Sequence, residues 1–284
     1  MKKLTLVWNR SKDIFWEVDW IEYLFRNIPH DTVENTDRSA YLENSIIIDS
    51  VLYCSAEHRA YSQEMTNRGI KFGLIDIGDE TCSAPTDTYT QAEFVIRHHY
   101  RDNLPGRVLH MPLGFTKGFD ITSPNPTATE RHLLWSFVGQ RWDQNRQNMY
   151  EEMKNIGPNM CHIAEQTGER ISTHEMSNIY RDSIFVPAPR GWSVIDTFRI
   201  TEALEAGCIP IIEANDYWRR LYREEIPCIK LCQWGDTQAL RIVASMASNA
   251  DYLESIRVQC SDWWNKIKQR TTDEVEELAV KLLR

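Results

Sequence analysis

Short apolar runs alternate with segments of helical period in two successive series, and a stretch without any period separates them. A run such as Lys3–Trp8 (KLTLVW) or Ser45–Asp49 (SIIID) is too short for a helix. It is also too evenly apolar for a strand with one wet face, so it fits a parallel sheet covered by helices on both sides. The first series places strands at Lys3–Trp8, Ser45–Asp49, Lys71–Asp76, Glu93–Arg97 and Arg107–Met111, with helical segments at Trp16–Phe25 and Ala56–Arg68. Gly114–Glu130 (GFTKGFDITSPNPTATE) is rich in Gly, Pro, Ser and Thr and reads as a break. Alternation resumes with strands at Leu133–Val138, Met160–Ala164, Ile184–Pro187, Ile209–Ile212 and Cys228–Leu231. Helices are expected at Gln144–Ile156, Thr173–Arg181 and Asp196–Ala206, and everything from Asp236 onward reads as helical. The expected fold is therefore α/β, with two facing doubly wound domains and a cleft between them: residues 1–115, a linker at 116–131, and 132–284. The last helices are expected to pack back on the N-terminal domain.

Charge narrows the class. The 284 residues carry 32 basic and 41 acidic side chains, a net charge of −9, which argues against a nucleic-acid partner. An acidic protein that binds a diphosphate must concentrate its positive charge locally. No run of 18 apolar residues is present, and the apolar start before Asn9 is too short for a signal-peptide core. A soluble, cytoplasmic protein is expected. The cysteine count is seven, with no CxxC pair, which indicates neither a zinc site nor a disulfide framework.

The chemistry concentrates in Pro187–Ile212 (PAPRGWSVIDTFRITEALEAGCIPII). A strand ends at Pro187, a Pro/Gly loop follows, and an amphipathic helix begins near Asp196 or Thr197 and ends at Gly207. The N-terminus of such a helix attracts phosphate through its free N–H groups and its dipole. Arg190 in the loop and Arg199 in the first turn suit bidentate bonds to a diphosphate. Glu202, on the same helix face as Arg199, suits ribose hydroxyls. An Arg and a Glu three apart also pair on ordinary solvated helix faces; the loop, the cap and Arg190 set this pair apart.

The run R-G-x(5)-T-F-R-x-x-E-A-x-x-A-G-C-I-P-I-I (Arg190 to Ile212) resembles the exostosin-like glycosyltransferases, as does Phe137-Val138-Gly139 followed by Arg146. The resemblance covers roughly residues 132–260 and fades before residue 110. It implies the GT-B fold and an inverting transfer of sugar from a UDP-sugar to a hydroxyl of an oligosaccharide or glycoprotein glycan. It also implies a donor site of Gly139, Arg146, Arg190, Asp196, Thr197, Arg199 and Glu202. Among relatives the short soluble xylosyltransferases, including those encoded by chloroviruses, are similar, so UDP-xylose is the expected donor. Asp196-Thr197 stands where many relatives have serine, and no counterpart of their Golgi anchor is expected.

An inverting transfer needs a base for the acceptor hydroxyl. Asp79, Glu80 and His98 are the candidates: Asp79 and Glu80 follow the strand KFGLID across Gly78, and His98 stands at the end of another strand. Arg10, Trp16 and His99 are expected on the acceptor side, and Trp192 as a stacking surface. With no D-x-D or His/carboxylate triad, no metal and no further cofactor are expected. A catalytically inactive exostosin-like binding module is the competing reading. A dehydrogenase or epimerase lacks its GxGxxG after the first strand.

Overall fold

The computed structural model describes residues 3–50, 55–164 and 170–284. Cys54 lies outside them. Contacts divide the chain into two units, Met1–Leu113 with Lys268–Arg284, and Gly114–Ile267. The stretch 116–131, expected as a linker, falls within the second unit, where Arg131 donates to the carbonyls of Pro126, Tyr180, Ser183 and Ala206.

The first unit is a six-stranded parallel sheet in the order β2-β1-β3-β4-β5-β6. Its strands are β1 (Leu4–Trp8), β2 (His30–Glu34), β3 (Ser45–Asp49), β4 (Phe72–Asp76), β5 (Phe94–Arg97) and β6 (Val108–His110). Helix α1 (Val18–Phe25) joins β1 to β2, and α2 (Ser55–Asn67) joins β3 to β4. Every residue of β3 and of β4 is buried, as their apolar runs require. Ile47, Phe72, Leu74 and Val95 pack with Tyr61 and Met65 of α2 and with Tyr89. Each such side chain contributes about 1.5–3 kcal/mol when removed from water. β2 is the strand that sequence reading missed. Its HDTVE has no apolar run because it lies at the sheet edge with no residue fully buried.

The second unit is a five-stranded parallel sheet in the order β11-β10-β9-β7-β8. It is built from β7 (Leu133–Gly139), β8 (Asn159–Ile163), β9 (Ser183–Pro187), β10 (Ile209–Glu213) and β11 (Ile229–Leu231). The connecting helices are α3 (Gln144–Met153), α4 (Thr173–Arg181), α5 (Phe198–Glu205) and α6 (Asp216–Tyr222). Ile200, Ala203 and Leu204 of α5 are buried, and α5 packs on β9 and β10. After α7 (Gln238–Ala247), the single helix α8 (Ala250–Leu282) continues into the residues that belong to the first unit.

In each sheet the strand order reverses once. β1 lies between β2 and β3, and β7 between β8 and β9. Open α/β sheets bind ligands at such switch points, outside the carboxyl ends of the strands. Two edges are therefore the places to look.

Candidate functional site

At the second unit's switch point, the loops after β7 and β9 meet. Asp143 caps α3 by accepting from the Arg146 N–H at 2.9 Å. This turns the Arg146 side chain toward the β9 loop, where its Nε and Nη2 donate to the Arg190 carbonyl at 3.4 and 3.2 Å. Its Nη1 donates to the Gln140 carbonyl at 3.0 Å, and its guanidinium lies 4.3 Å from the Trp142 ring. Arg146 thus clamps one loop to the other. Arg190 itself is half-exposed, with its Nε 3.3 Å from the Asp143 carboxylate.

Arg199, in the first turn of α5, is buried against the end of β7. It lies 4.5 Å from the Phe137 ring and donates to the Val138 carbonyl from Nε and Nη2, at 3.4 and 3.1 Å. Its guanidinium acts on the buried Tyr180 hydroxyl and on the Glu202 carboxylate. A Cβ at Gly139 would sit 2.6 Å from Arg199 Nη2 and push the guanidinium from its place.

The β9–α5 loop folds tightly on itself. A Cβ at Gly191 would sit 2.4 Å from the Asp196 carbonyl oxygen, so the turn needs glycine. Helix α5 starts at Phe198, two residues later than the pattern suggested. Thr197 holds the N-cap position without a side-chain cap bond, which leaves first-turn N–H groups without a side-chain cap. Asp196 is 2 % exposed and turns away. Its Oδ1 accepts the Thr197 N–H at 2.9 Å and its Oδ2 the Tyr217 hydroxyl at 3.2 Å. Burial pushes its carboxyl up to about 7, against the pull of those two hydrogen bonds. Glu202 is buried and accepts from the Thr116 hydroxyl at 2.6 Å and the Thr116 N–H at 3.4 Å. Burial raises its carboxyl as well.

The predicted donor residues Gly139, Arg146, Arg190, Asp196, Thr197 and Arg199 are thus gathered on the adjoining loops of β7 and β9, with Glu202 one turn further along α5. Trp192, 68 % exposed, faces Trp142 with ring centroids 5.1 Å apart. Trp142 was not singled out in the sequence, since nothing in RWDQN marks a surface aromatic.

The first unit's edge has a different make-up. The sheet register sets Asp49, Asp76 and Arg97 side by side, and all three are buried. Asp76 accepts from the Tyr89 hydroxyl, which in turn accepts from Arg97 Nη1 at 3.0 Å. Arg97 Nη2 donates to Asp79 at 3.1 Å. Asp79, expected to reach a substrate, is 2 % exposed, and its Oδ1 also accepts the Ser83 and Ala84 N–H groups at 3.2 Å each. Its carboxylate is occupied in shaping that loop. Glu80 is exposed. His98 is 1 % exposed with both ring nitrogens unpartnered, and burial drives its pKa well below the usual value. His99 has an unpartnered Nδ1, and burial lowers it to about 4. Both are neutral imidazoles at ordinary pH. Trp16 is 54 % exposed, and Arg10 Nε lies 3.8 Å from Asp49.

Glu17 was missed. It occupies the N-cap position of α1 without capping it and is 9 % exposed. Burial raises its carboxyl to about 7, against hydrogen bonds from its own and the Trp16 backbone, with the Glu80 charge adding to the rise. A lone glutamate after a tryptophan carries no sequence signal; its burial is a tertiary effect. Asp49, equally unmarked, is buried beside His58 and Arg38 at 3.2 and 2.7 Å. Burial alone would raise it, but those partners together hold its carboxyl below the usual range. Among the described residues no group of three His, Cys, Asp or Glu side chains is arranged to hold a metal ion, and no helix is long and apolar enough to cross a membrane.

No protein-family model matches the chain. Over 195 residues it is 22 % identical to Exostosin-1 of Drosophila melanogaster, a match covering 60 % of this chain and 25 % of that protein. The chain thus spans about a quarter of that relative's length. Among solved structures it is similar to Anabaena HepE in complex with UDP and glucose. The TM-score is 0.61 at 9 % identity, covering 99 % of this chain and 100 % of the other. It is similar as well to an α1,3-fucosyltransferase, with a TM-score of 0.55 at 10 % identity and 94 % and 90 % coverage. Acinetobacter baumannii MurG gives a TM-score of 0.53 at 10 % identity, with 97 % and 100 % coverage. At such identities the likeness is one of fold: two parallel-sheet α/β units of the GT-B glycosyltransferase type.

Proposed function

We propose that the chain is an inverting glycosyltransferase that moves a sugar, xylose being the favoured candidate, from a UDP-sugar to a hydroxyl of a glycan acceptor. The observation that carries this reading is the N-terminus of α5, which lacks a side-chain cap and lies at a switch point with Arg146, Arg190 and Arg199 around it. The exostosin likeness and the glycosyltransferase folds of the structural relatives support it.

In this reaction the acceptor oxygen loses its proton to a base and attacks the anomeric carbon. The new C–O bond forms on the face opposite the departing oxygen, and the bond to the diphosphate breaks with its electron pair leaving on UDP. Positive charge must meet that oxygen as it departs. Arg190, Arg199 and the α5 N–H groups supply it. They do the work a divalent cation does elsewhere, which is why transfer is proposed to need no metal.

For the base we favour Glu17 over Asp79. Asp79 would have to give up Arg97 and two backbone N–H groups to accept a substrate proton. Glu17, poised near 7, matches the value at which a general base is both deprotonated and basic enough. The occupied Asp79 is what an inactive binding module would show, and Glu17 is the answer to that reading.

The test is a thermal-shift and calorimetry screen against UDP-, GDP- and CMP-sugars, followed by a transfer assay on glycan acceptors. Stabilisation by UDP compounds together with transfer is the expected result. Saturable UDP binding without transfer or hydrolysis would leave only the binding module, and no nucleotide binding would remove both readings.

A further inference from the structure

Beside the phosphate-binding arginines the second unit contains a cavity of about 300 Å³. Its wall is built from the β9–α5 loop, including Arg190 and Ser193, from Glu213 and Asn215 at the carboxyl end of β10, and from Cys232 after β11. That volume is at the lower end of the range of about 300–1,000 Å³ for small-ligand sites. It suits one small ring.

The polar equipment is specific. Both carboxylate oxygens of Glu213 accept from Asn145 Nδ2 at 3.0 Å, and Asn145 Oδ1 accepts the Arg190 N–H at 3.3 Å. One amide therefore fixes the carboxylate relative to the loop that carries the phosphate-binding arginine. A carboxylate has about four lone-pair positions, so Glu213 keeps acceptor capacity for hydroxyl groups. Arg190, the cation on the wall, pairs with Asp143 at 3.3 Å and on the reading above takes up the diphosphate, so neither contact leaves it over for a carboxylate on the ring. Nothing else charged lines the space.

We propose that this cavity receives the sugar of the nucleotide-sugar donor, and that Glu213 reads its hydroxyls and excludes uronic acids. The inference rests on the reading of α5 and its arginines as the diphosphate site. Arg190 belongs to both the phosphate cluster and the cavity wall, so a ring attached to the terminal phosphate is carried straight into the cavity. A hydroxylated neutral ring finds an anionic acceptor there. A ring bearing its own carboxylate meets like charge with no free cation to offset it, and such juxtaposition is strongly unfavourable. The exostosin-like run ends at Ile212 and does not mark Glu213; only the fold brings it to Arg190.

Calorimetry on the full chain with UDP, UDP-xylose, UDP-glucose and UDP-glucuronate tests this. For Glu213→Gln and Glu213→Ala the expected result is UDP affinity within about twofold of wild type and a loss of about 10- to 100-fold for UDP-xylose and UDP-glucose, the size of a hydrogen bond to a charged group. Wild type should prefer UDP-glucose to UDP-glucuronate, which differ only at C6, and Glu213→Gln should narrow that preference. Ser193→Trp, at an exposed loop position, fills the cavity without disturbing the fold, and should block the UDP-sugars while sparing UDP. Equal losses for UDP and its sugars, or no change in either, would overturn the assignment of the cavity while leaving the diphosphate site standing. Failure of wild type to bind UDP at all would instead remove the reading on which the inference rests.

Discussion

The two sheets share one topology at their carboxyl edges and almost nothing of its chemistry. The second unit's edge carries arginines whose guanidiniums are anchored on backbone carbonyls, Val138, Gln140 and Arg190. The first unit's edge carries carboxylates and neutral histidines, with several buried polar atoms unpartnered: the Asn9 amide, the Ser50 hydroxyl, His58 Nε2 and the ring nitrogens of His98. A buried unpaired polar group costs roughly 1–3 kcal/mol, so this edge is built at the expense of stability. An edge of fixed cations is suited to holding negative charge. One of neutral imidazoles, an amide and a carboxyl poised near 7 is suited to hydroxyl groups and to moving a proton.

The largest expected effect separates the proton-transfer group from the structural carboxylate beside it. Glu17→Gln should lower turnover by about 10²–10⁴, the usual range for a positioned base, with UDP affinity unchanged. The acid limb of the wild-type rate profile should rise through about 7, since the base works deprotonated, and should vanish in the variant. Glu80, the charged neighbour that raises Glu17, should shift that limb downward when replaced by Gln. Asp79→Asn should instead act on stability. Removing the carboxylate paired with buried Arg97, which keeps Tyr89 and the His98 and His99 carbonyls as partners, costs at most about 3–5 kcal/mol by analogy with other broken buried pairs, readable in urea unfolding. If Asp79→Asn stays fully folded and loses turnover while Glu17→Gln does not, the roles are reversed.

On the arginine edge the expected effect is smaller. Arg199→Ala should weaken UDP binding by about 1.5–3 kcal/mol, measured by calorimetry on protein shown to be folded, with Arg199→Lys restoring only part because a lysine cannot hold Val138 and phosphate together. Unchanged UDP affinity in a folded Arg199→Ala variant would erase the contrast between the edges.

Much of the scaffold could be read in the sequence, and for a physical reason. β3, β4 and β10 are buried throughout or nearly so, and such strands must announce themselves as SIIID, FGLID and IPIIE. The arginine edge was legible too, because its residues lie on two short loops and one helix turn. The hydroxyl edge was not. Asp49 and His58 come together through strand order and helix packing, and Glu17 is buried at the head of α1, none of which is written in local periodicity. Asp79 was misleading for the same reason: DIGDE has the composition of a solvated turn, and only Arg97, from another strand, draws it inside.

A subtler effect concerns pH. The Asp196 carboxyl, near 7 in the folded chain against 3.8 as its ordinary value, is favoured in its protonated form by folding. Its contribution is complete below about pH 4 and is lost as pH rises through 7. Asp196→Asn should therefore flatten the fall in melting temperature between pH 5 and 8. The histidines work in the opposite sense. His99, lowered to about 4, contributes above its ordinary value of 6.5 and loses that contribution as pH falls toward 4, so acid should destabilise Asp196→Asn, which lacks the opposing gain from Asp196, more than wild type. Identical melting-temperature profiles between pH 5 and 8 for wild type and Asp196→Asn would count against a buried, neutral Asp196. The smallest expected effect is none: transfer should proceed unchanged in EDTA, and a loss restored by Mg²⁺ or Mn²⁺ would show that the arginines do not suffice.

Helix α8 has a consequence for the order of events during synthesis. Its final turns complete the first unit, where Thr272 accepts from Arg26 at 3.0 Å, Arg107 reaches Glu277 at 3.4 Å, and Lys268 lies 5.7 Å from the Tyr23 ring. Residues 114–267 are made in between and form a unit of their own. Domains ordinarily fold in the order they leave the ribosome. Here the part begun first must wait, with the Tyr23 and Arg26 face of α1 uncovered, until the later-made part has been translated and has closed. The nascent chain thus holds every residue of the unit with the arginine edge before the first unit has its last helical turns.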